Sequence, residues 1–205
     1  MQEGESYESV SEEEYIMIEQ KLLDLNEFRQ IYEWHLVNHF PTDEVKPFYI
    51  MEKCFEENRY FPYGYYEEGR LIAYAFFLRS DNYLLLDYYA VLEEVRGLGK
   101  GSEILSIMKS HLKEEETVFI ETEQPDPEEP EIRAVQLKRI QFYLRNGAKG
   151  AGLMGSAFGV PYRIFTLGKS LYGEKAREGM ETLYRSMLSE EMYEKNIFFK
   201  LDNEK

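Results

Sequence analysis

The segment Arg96-Gly97-Leu98-Gly99-Lys100-Gly101-Ser102 constrains this chain more than any other. It lies between an apolar, strand-like run, Tyr83 to Leu92, and a segment with helical spacing at Ile104, Leu105, Ile107, Met108, His111 and Leu112. Glycines in such a place let the backbone turn sharply and let N–H groups face a ligand with no side chain in the way. The helix that follows presents its partly positive N-terminus, so an anion is favoured there, above all a phosphate. Two familiar phosphate patterns fail on residues. A Walker loop needs glycine where Glu94 stands and Ser or Thr where Gly101 stands. A dinucleotide fingerprint is met by Gly97 and Gly99 but has Ser102 where the third glycine belongs. The duller reading of the turn is close packing alone.

The chain's 205 residues suit one domain. With Cys54 as the lone cysteine, a disulfide framework and a multi-cysteine zinc site are excluded, and a reducing, cytoplasmic setting is expected. The acidic, polar start is unlike a signal peptide, and the longest apolar run, Tyr83 to Val91, is too short for a bilayer and contains Asp87. With 39 acidic and 24 basic residues the formal charge is −15. That field disfavours nucleic acid and anionic membrane as partners and favours cations, although acidity also serves plain solubility.

The pattern along the chain predicts a flexible acidic lead-in over 1–14, a main domain over 15–170 and a C-terminal helical extension over 171–205 packed on it. A first strand is expected at Tyr15–Glu19. A helix capped by Asn26 runs to about His39, and a second, capped by Thr42, runs to about Glu57. Strands at Phe61–Tyr66 and Leu71–Leu78, joined through Glu67-Glu68-Gly69-Arg70, form a meander with Tyr83–Leu92. Thr117–Glu123 is a strand. A rigid acidic loop over 124–130 leads into a helix that Pro130 opens and Gly147 ends. Two strands near Gly152–Phe158 and Tyr162–Leu167 precede a helical tail with Met180, Leu183, Tyr184, Met187 and Leu188 on one face. The order implies an α/β (α+β) fold: a mixed, mostly antiparallel twisted sheet with helices on both faces.

The residues from Val91 to Ser102, after the triplet Tyr89-Ala90-Val91, resemble motif A of the GNAT superfamily of acyl-CoA-dependent N-acetyltransferases, Arg/Gln-x-x-Gly-x-Gly/Ala. Phe142-Tyr143-Leu144-Arg145-Asn146-Gly147-Ala148 is similar to motif B. Two motifs in the right order are far more specific than either alone. The chain departs from the family pattern at Glu93-Glu94, where proline is frequent, at Gln136, where asparagine is frequent, and in the length of its acidic loop.

The resemblance implies acetyl-CoA as co-substrate, with no metal. It implies that Arg96, Gly97, Leu98, Gly99, Lys100, Gly101 and Ser102 hold the pyrophosphate, mainly through backbone N–H groups. Backbone groups of Tyr89 and Val91 would bind the acetyl carbonyl and pantetheine arm in a gap between strands, and Tyr143 would donate to the departing thiolate. A core aromatic is the alternative for Tyr143. The acceptor amine must lose a proton before attack. Asp87, Glu121 and Glu123 are the candidate bases or cation anchors; strand alternation puts Asp87, Tyr89 and Val91 on one face and Glu121 and Glu123 together on the next strand. A structural ion pair for Asp87 and a solvated strand end for the two glutamates are the alternatives.

His35 and His39 have metal-ligand spacing but no evident third ligand, and Cys54 lacks a local base. Tyr60, Tyr63, Tyr65 and Tyr66 line either an amine pocket or the sheet core. The expected function is acetyl transfer to a primary amine, in the first instance a cationic small molecule, by direct attack in a ternary complex. A non-catalytic acyl-CoA-binding module and a purely structural protein are the competitors. The C-terminal helix either covers the sheet, the favoured reading, or forms a homodimer.

Overall fold

The computed structural model describes residues 17–42, 44–126 and 128–202. One eight-stranded sheet runs through them in the order β1-β2-β3-β4-β5-β7-β6-β8. The strands are β1 (Glu19–Leu22), β2 (Tyr60–Glu67), β3 (Arg70–Ser80), β4 (Tyr83–Val91), β5 (Thr117–Glu123), β6 (Lys149–Ala157), β7 (Val160–Gly168) and β8 (Ile197–Leu201). Every neighbouring pair is antiparallel except β4 and β5. Helices α1 (Leu25–Ile31), α2 (Val37–His39), α3 (Phe48–Glu56), α4 (Lys100–Ser110), α5 (Pro130–Arg145), α6 (Glu174–Met187) and α7 (Glu190–Asn196) cover both faces.

Two buried clusters lie on opposite faces of the sheet. One joins Phe28, Met51 and Met180 to Tyr74, Phe76, Leu85 and Phe119. The other joins Ile104, Met108, Ile140 and Tyr143 to Ala75, Phe77, Leu86 and Ile120. Helix α6 approaches very closely: a Cβ on Gly179 would sit 2.7 Å from the Phe119 ring. The meander has tight turns, because Glu68 and Gly69 both take positive φ (49° and 76°), as a two-residue hairpin loop requires. Pro130 opens α5, and Gly147, at φ 93°, follows its end.

Several boundaries differ from the sequence reading. The lead-in over 1–14, with Tyr15 and Ile16, lies outside the described residues, and the first strand runs over Glu19–Leu22. Asp24, not Asn26, caps α1: its side chain accepts from the N–H groups of Asn26 and Glu27, while Glu27 accepts from the Asp24 N–H, a capping box. A π-helical turn, Tyr32–Leu36, follows α1 and shifts the apolar stripe, so that Leu36 is buried while His35 is only partly so. Helix α3 begins at Phe48, not after Thr42. The segment before it is held to the sheet by Tyr88, whose hydroxyl donates to the Glu44 carbonyl at 2.9 Å and accepts from the Lys46 N–H at 2.8 Å. The tail is not wholly helical: Ile197, Phe199 and Leu201 alternate inward and the segment adds β8 to the edge of β6. Among the described residues no helix is long and apolar enough to cross a membrane.

The Asp24 box satisfies backbone donors that a short helix otherwise leaves open. Replacing Asp24 by Ala should cost about 1 kcal/mol. For a chain of this size that lowers Tm by roughly 2–4 °C in a thermal melt. Asp24→Ser should recover most of the loss.

Candidate active site

The parallel register of β4 and β5 covers Tyr83–Leu86 against Thr117–Ile120 and stops there. Beyond it, Asp87–Val91 and Glu121–Glu123 bound a cleft of about 990 Å³. The break coincides with a bulge: Phe76 pairs with Tyr88 and Phe77 with Leu86, leaving Asp87 as the extra residue. The bulge reverses the alternation that the sequence suggests. Tyr89 and Val91 pack with the α4–α5 cluster, whereas Asp87 turns to the α1–α3 side. Asp87 therefore does not share a face with Tyr89 and Val91.

The exposed backbone of β4 follows from hydrogen-bond parity. The Leu92 N–H donates to the Ile72 carbonyl at 2.8 Å, so even-numbered residues at this end address β3. The backbone groups of Tyr89 and Val91 face the gap, and there Arg96 Nε takes the Val91 carbonyl at 2.9 Å. Immediately downstream, Gly97 and Gly99 both have φ of 81°. Among the described residues no protein acceptor takes the N–H groups of residues 97–101; the helical ladder resumes with Ser102 and Glu103 donating to the Gly99 carbonyl. A Cβ on Gly97 or Gly99 would meet nothing, whereas one on Gly101 would press on Phe142 at 3.3 Å. Thus the first two glycines serve the turn and Gly101 serves packing.

Arg96, Gly97, Gly99, Gly101 and Ser102 line the cleft. Leu98 projects into solvent. The Lys100 ammonium is turned to Glu67 at 2.6 Å and Glu103 at 3.3 Å, so its side chain is spent on the protein. Gln136 is buried and its Oε1 accepts the Asp126 N–H at 2.8 Å, which pins the acidic loop. Tyr143 lines the cleft from α5, and its hydroxyl has no protein hydrogen-bond partner among the described residues. Burial pushes this phenol up to about 12, against a smaller opposing pull from Arg139, so it keeps its proton at neutral pH.

The three candidate carboxylates are separated by their partners. Asp87 accepts from Lys46 Nζ at 2.7 Å and from the Tyr60 hydroxyl at 2.6 Å. Its side chain is 1% exposed, so both oxygens are committed. Burial alone would lower the Lys46 ammonium, but the Asp87 charge beside it holds it above its ordinary value. Glu123 is drawn to the other side by Arg139 at 2.8 Å. Among the described residues the Glu121 side chain accepts only the Tyr184 hydroxyl, at 2.9 and 3.0 Å, and it lines the cleft. Burial raises it to about 7, in spite of Lys46 and the Tyr184 hydrogen bond, which pull it down. A carboxyl raised to about 7 has the protonation equilibrium of a neutral-pH base.

Residues to which the sequence assigns no role in the cleft complete it. His39 stacks on Tyr74 and its Nδ1 lies 3.0 Å from the Tyr74 hydroxyl; burial, then Arg96, lowers its pKa. Lys46, Tyr162 and Tyr184 also line it. Of these three, Tyr184 is the one that the sequence pattern puts on the apolar face of the tail. Lys46 carried no local signal, since its partner is 41 residues away. Cys54 is buried in α3, and burial pushes its thiol up. Of the sequence's tyrosine group, Tyr60 and Tyr65 are buried in the sheet clusters and Tyr63 packs against them.

The sequence model of the acetyltransferase (GNAT) family matches residues 28–136, more than half of the chain. The Bacillus subtilis (strain 168) protein YjbC, named as an acetyltransferase, is 26% identical over 120 residues. That match covers 58% of this chain and 57% of YjbC, so the chain spans little more than half of that relative's length. A solved GNAT-family structure from Bacteroides thetaiotaomicron is similar over 79% of this chain and 93% of its own, with a TM-score of 0.64 and 19% identity. The structure of aminoglycoside acetyltransferase AAC(6')-Ib with coenzyme A and kanamycin is similar over 75% and 95%, with a TM-score of 0.52 and 17% identity. At these identities the likeness is one of fold.

The elevated Glu121 fixes a sign for stability. Its folded-state pKa, about 7, exceeds the ordinary 4.5, so the folded chain holds this proton more tightly than the unfolded chain. Its contribution is full below the unfolded value and is lost as pH rises through about 7. Glu121→Gln cannot titrate. Urea unfolding should therefore show the wild type losing stability relative to E121Q between about pH 5 and about pH 8. A difference that does not change with pH would assign Glu121 an ordinary carboxylate environment.

Proposed function

Because the chain belongs to the acetyltransferase (GNAT) family, we propose that it transfers an acetyl group from acetyl-CoA to a primary amine by direct attack within a ternary complex. The observation that carries the reading is the gap between β4 and β5. It exposes backbone groups of Tyr89 and Val91 beside a turn with free N–H groups over residues 97–101. Those two features suit a long ligand with an amide-bearing arm and an anionic end. Acetyl-CoA supplies the acyl group as a thioester. The turn binds phosphate oxygens through its N–H groups, with Arg96 at its edge, while Leu98 and Lys100 contribute backbone only. The Tyr89 and Val91 backbone orients the arm as an added strand would. Glu121 takes the proton that the acceptor ammonium must lose. Tyr143 Oη gives a hydrogen bond to the sulfur that departs.

The acceptor is proposed to be a cationic amine. Glu44, Asp87, Glu121 and Glu123 line the cleft beside Lys46, Arg96, Lys138, Arg139 and Arg145, so the attraction for a cation comes from the whole chain's −15 and from Glu121, whose hydrogen-bond partner is the neutral Tyr184 hydroxyl. The field raises the local concentration of cations, and the tyrosines around Glu121 offer cation–π faces. Thiol release from acetyl-CoA with matched cationic, neutral and acidic amines tests the reading; kanamycin is a suitable cationic member of the panel. Turnover is expected with the cationic members, with KM rising as salt is added. Equal or better turnover of an acidic amine would overturn the charge argument, and calorimetry showing no CoA binding would overturn the function itself.

Two variants separate the roles. With Glu121 as base, kcat/KM should rise with pH through about 7 as the carboxylate ionises. E121Q should lose that limb and about 10²-fold or more in rate. Tyr143→Phe should keep acetyl-CoA affinity and lose about 10- to 100-fold in kcat, the worth of one hydrogen bond to a developing charge. Single-turnover thiol release and calorimetry measure both quantities.

A further inference from the structure

A second, smaller cavity, about 170 Å³, lies on the α4–α5 face near the C-terminal end of α4, away from the glycine turn. Its walls are apolar side chains of both layers, among them Phe61, Phe77, Leu84, Leu105, Met108 and Leu167. Polar side chains interrupt them: Gln20, Tyr65 and Arg79, with Tyr63, His111 and Glu116 also on the lining. Gln20 Oε1, the Tyr65 hydroxyl and Arg79 Nε are each buried and have no hydrogen-bond partner among the described residues. Tyr65 is 0% exposed. Gln20 and Tyr65 are direct partners across β1 and β2, so their side chains rise from the same face of the sheet.

Unpaired buried polar atoms cost stability, and native structures keep few of them. Three such atoms belong to side chains that border one void, and an occupant that reaches them restores their hydrogen bonds. The charge of that occupant is set by Glu116. This buried carboxylate borders the cavity and takes the other end of the guanidinium, with Arg79 Nη2 at 3.0 Å. The ion pair leaves no net charge for a ligand to neutralise. What remains is an acceptor in Gln20 Oε1, a donor in Arg79 Nε and both functions in the Tyr65 hydroxyl. His111, at the cavity edge, is exposed and marks the way in.

We propose that this cavity is a binding site for a neutral, ring-sized molecule with one hydroxyl or primary amide group, its apolar body between α4 and the sheet and its polar head among Gln20, Tyr65 and Arg79. The volume corresponds to about five to six waters at ~30 Å³ each, the size of one substituted ring. The site is independent of the acyl-transfer reading, since none of its residues borders the larger cleft.

The test is titration of the full chain with phenol, followed in amide and methyl NMR spectra, with toluene, benzoate and benzylamine as comparison probes. Phenol should shift resonances of Leu84, Leu105, Met108 and Leu167 and leave those of the glycine turn unmoved. It should bind at least tenfold more tightly than toluene or either charged probe. Tyr65→Phe keeps the packing and removes one polar partner, so it should weaken phenol about tenfold while leaving toluene unchanged. Thermal melts confirm that the variant is folded. Three results would each overturn the proposal. One is no shift with phenol at millimolar concentration, which leaves ordered water as the occupant. Another is shifts confined to the larger cleft, and the third is equal phenol affinity in wild type and Tyr65→Phe.

Discussion

The end of the β4–β5 pairing at Leu86 and Ile120 is the constraint on which the rest of the structure depends. A strand that loses its neighbour inside a sheet exposes a row of backbone donors and acceptors, and these must be met by something. Here the separation starts where Asp87 is inserted as a bulge, which bends β4 away and re-aims its side chains. One insertion sends Asp87 to the α1–α3 side and Tyr89 and Val91 to the α4–α5 side. Two sides of the cleft are thereby lined by successive residues of one strand. The eight-stranded sheet continues on both sides of the gap, through β1–β4 on one side and β5, β7, β6 and β8 on the other.

The bulge is held by a buried ion pair. Lys46 and Asp87 are 15% and 1% exposed at their side chains, and a pair that deep is costly to desolvate. Its use is positional. The Tyr88 hydroxyl bridges the backbone at Glu44 and Lys46, Tyr60 takes the second Asp87 oxygen, and the loop before α3 becomes a wall of the cleft. The pair also acts on Glu121: Lys46 draws its pKa down and Asp87 pushes it up, so the nearby charges oppose each other and burial decides. Removing Lys46 alone would leave Asp87 as a second unscreened anion beside Glu121. The same pair thus fixes the geometry of the wall and keeps Glu121 able to ionise near neutral pH.

What the sequence made legible is local. The glycine turn, the hairpin at Glu68-Gly69, the Pro130 start and Gly147 end of α5, and the inward face of α6 all rest on signals a few residues long, and each has its structural counterpart. Most of what the sequence leaves open is set by distant contacts. Strand alternation cannot anticipate a bulge, so Asp87 was grouped with Tyr89 and Val91. The cap is local: Asn26 is a residue type that caps helices, but the Asp24–Glu27 spacing is the stronger signal and the one the structure uses. The terminal strand was hidden because Ile197, Phe199 and Leu201 follow a helix directly and show only three inward positions. Three acidic residues were equivalent in sequence; their partners, Lys46, Tyr184 and Arg139, come from three different parts of the chain and make them unlike.

Tyrosine ties these observations together. The chain has 17, and its interior uses them to put single polar atoms into otherwise apolar walls. Tyr60 serves Asp87, Tyr74 serves His39, Tyr88 the Glu44–Lys46 backbone, Tyr89 the Gly101 carbonyl and Tyr184 Glu121. Burial raises the pKa of each of these phenols, which keeps it a dependable donor at neutral pH. Against that practice, Tyr65 and Tyr143 stand apart: both are buried, and neither hydroxyl has a protein hydrogen-bond partner among the described residues. Each of the two borders a cavity, Tyr143 the large cleft and Tyr65 the small one. In a core that pairs most of its buried phenols, an unpaired hydroxyl beside a void is a place where an occupant can supply the missing hydrogen bond.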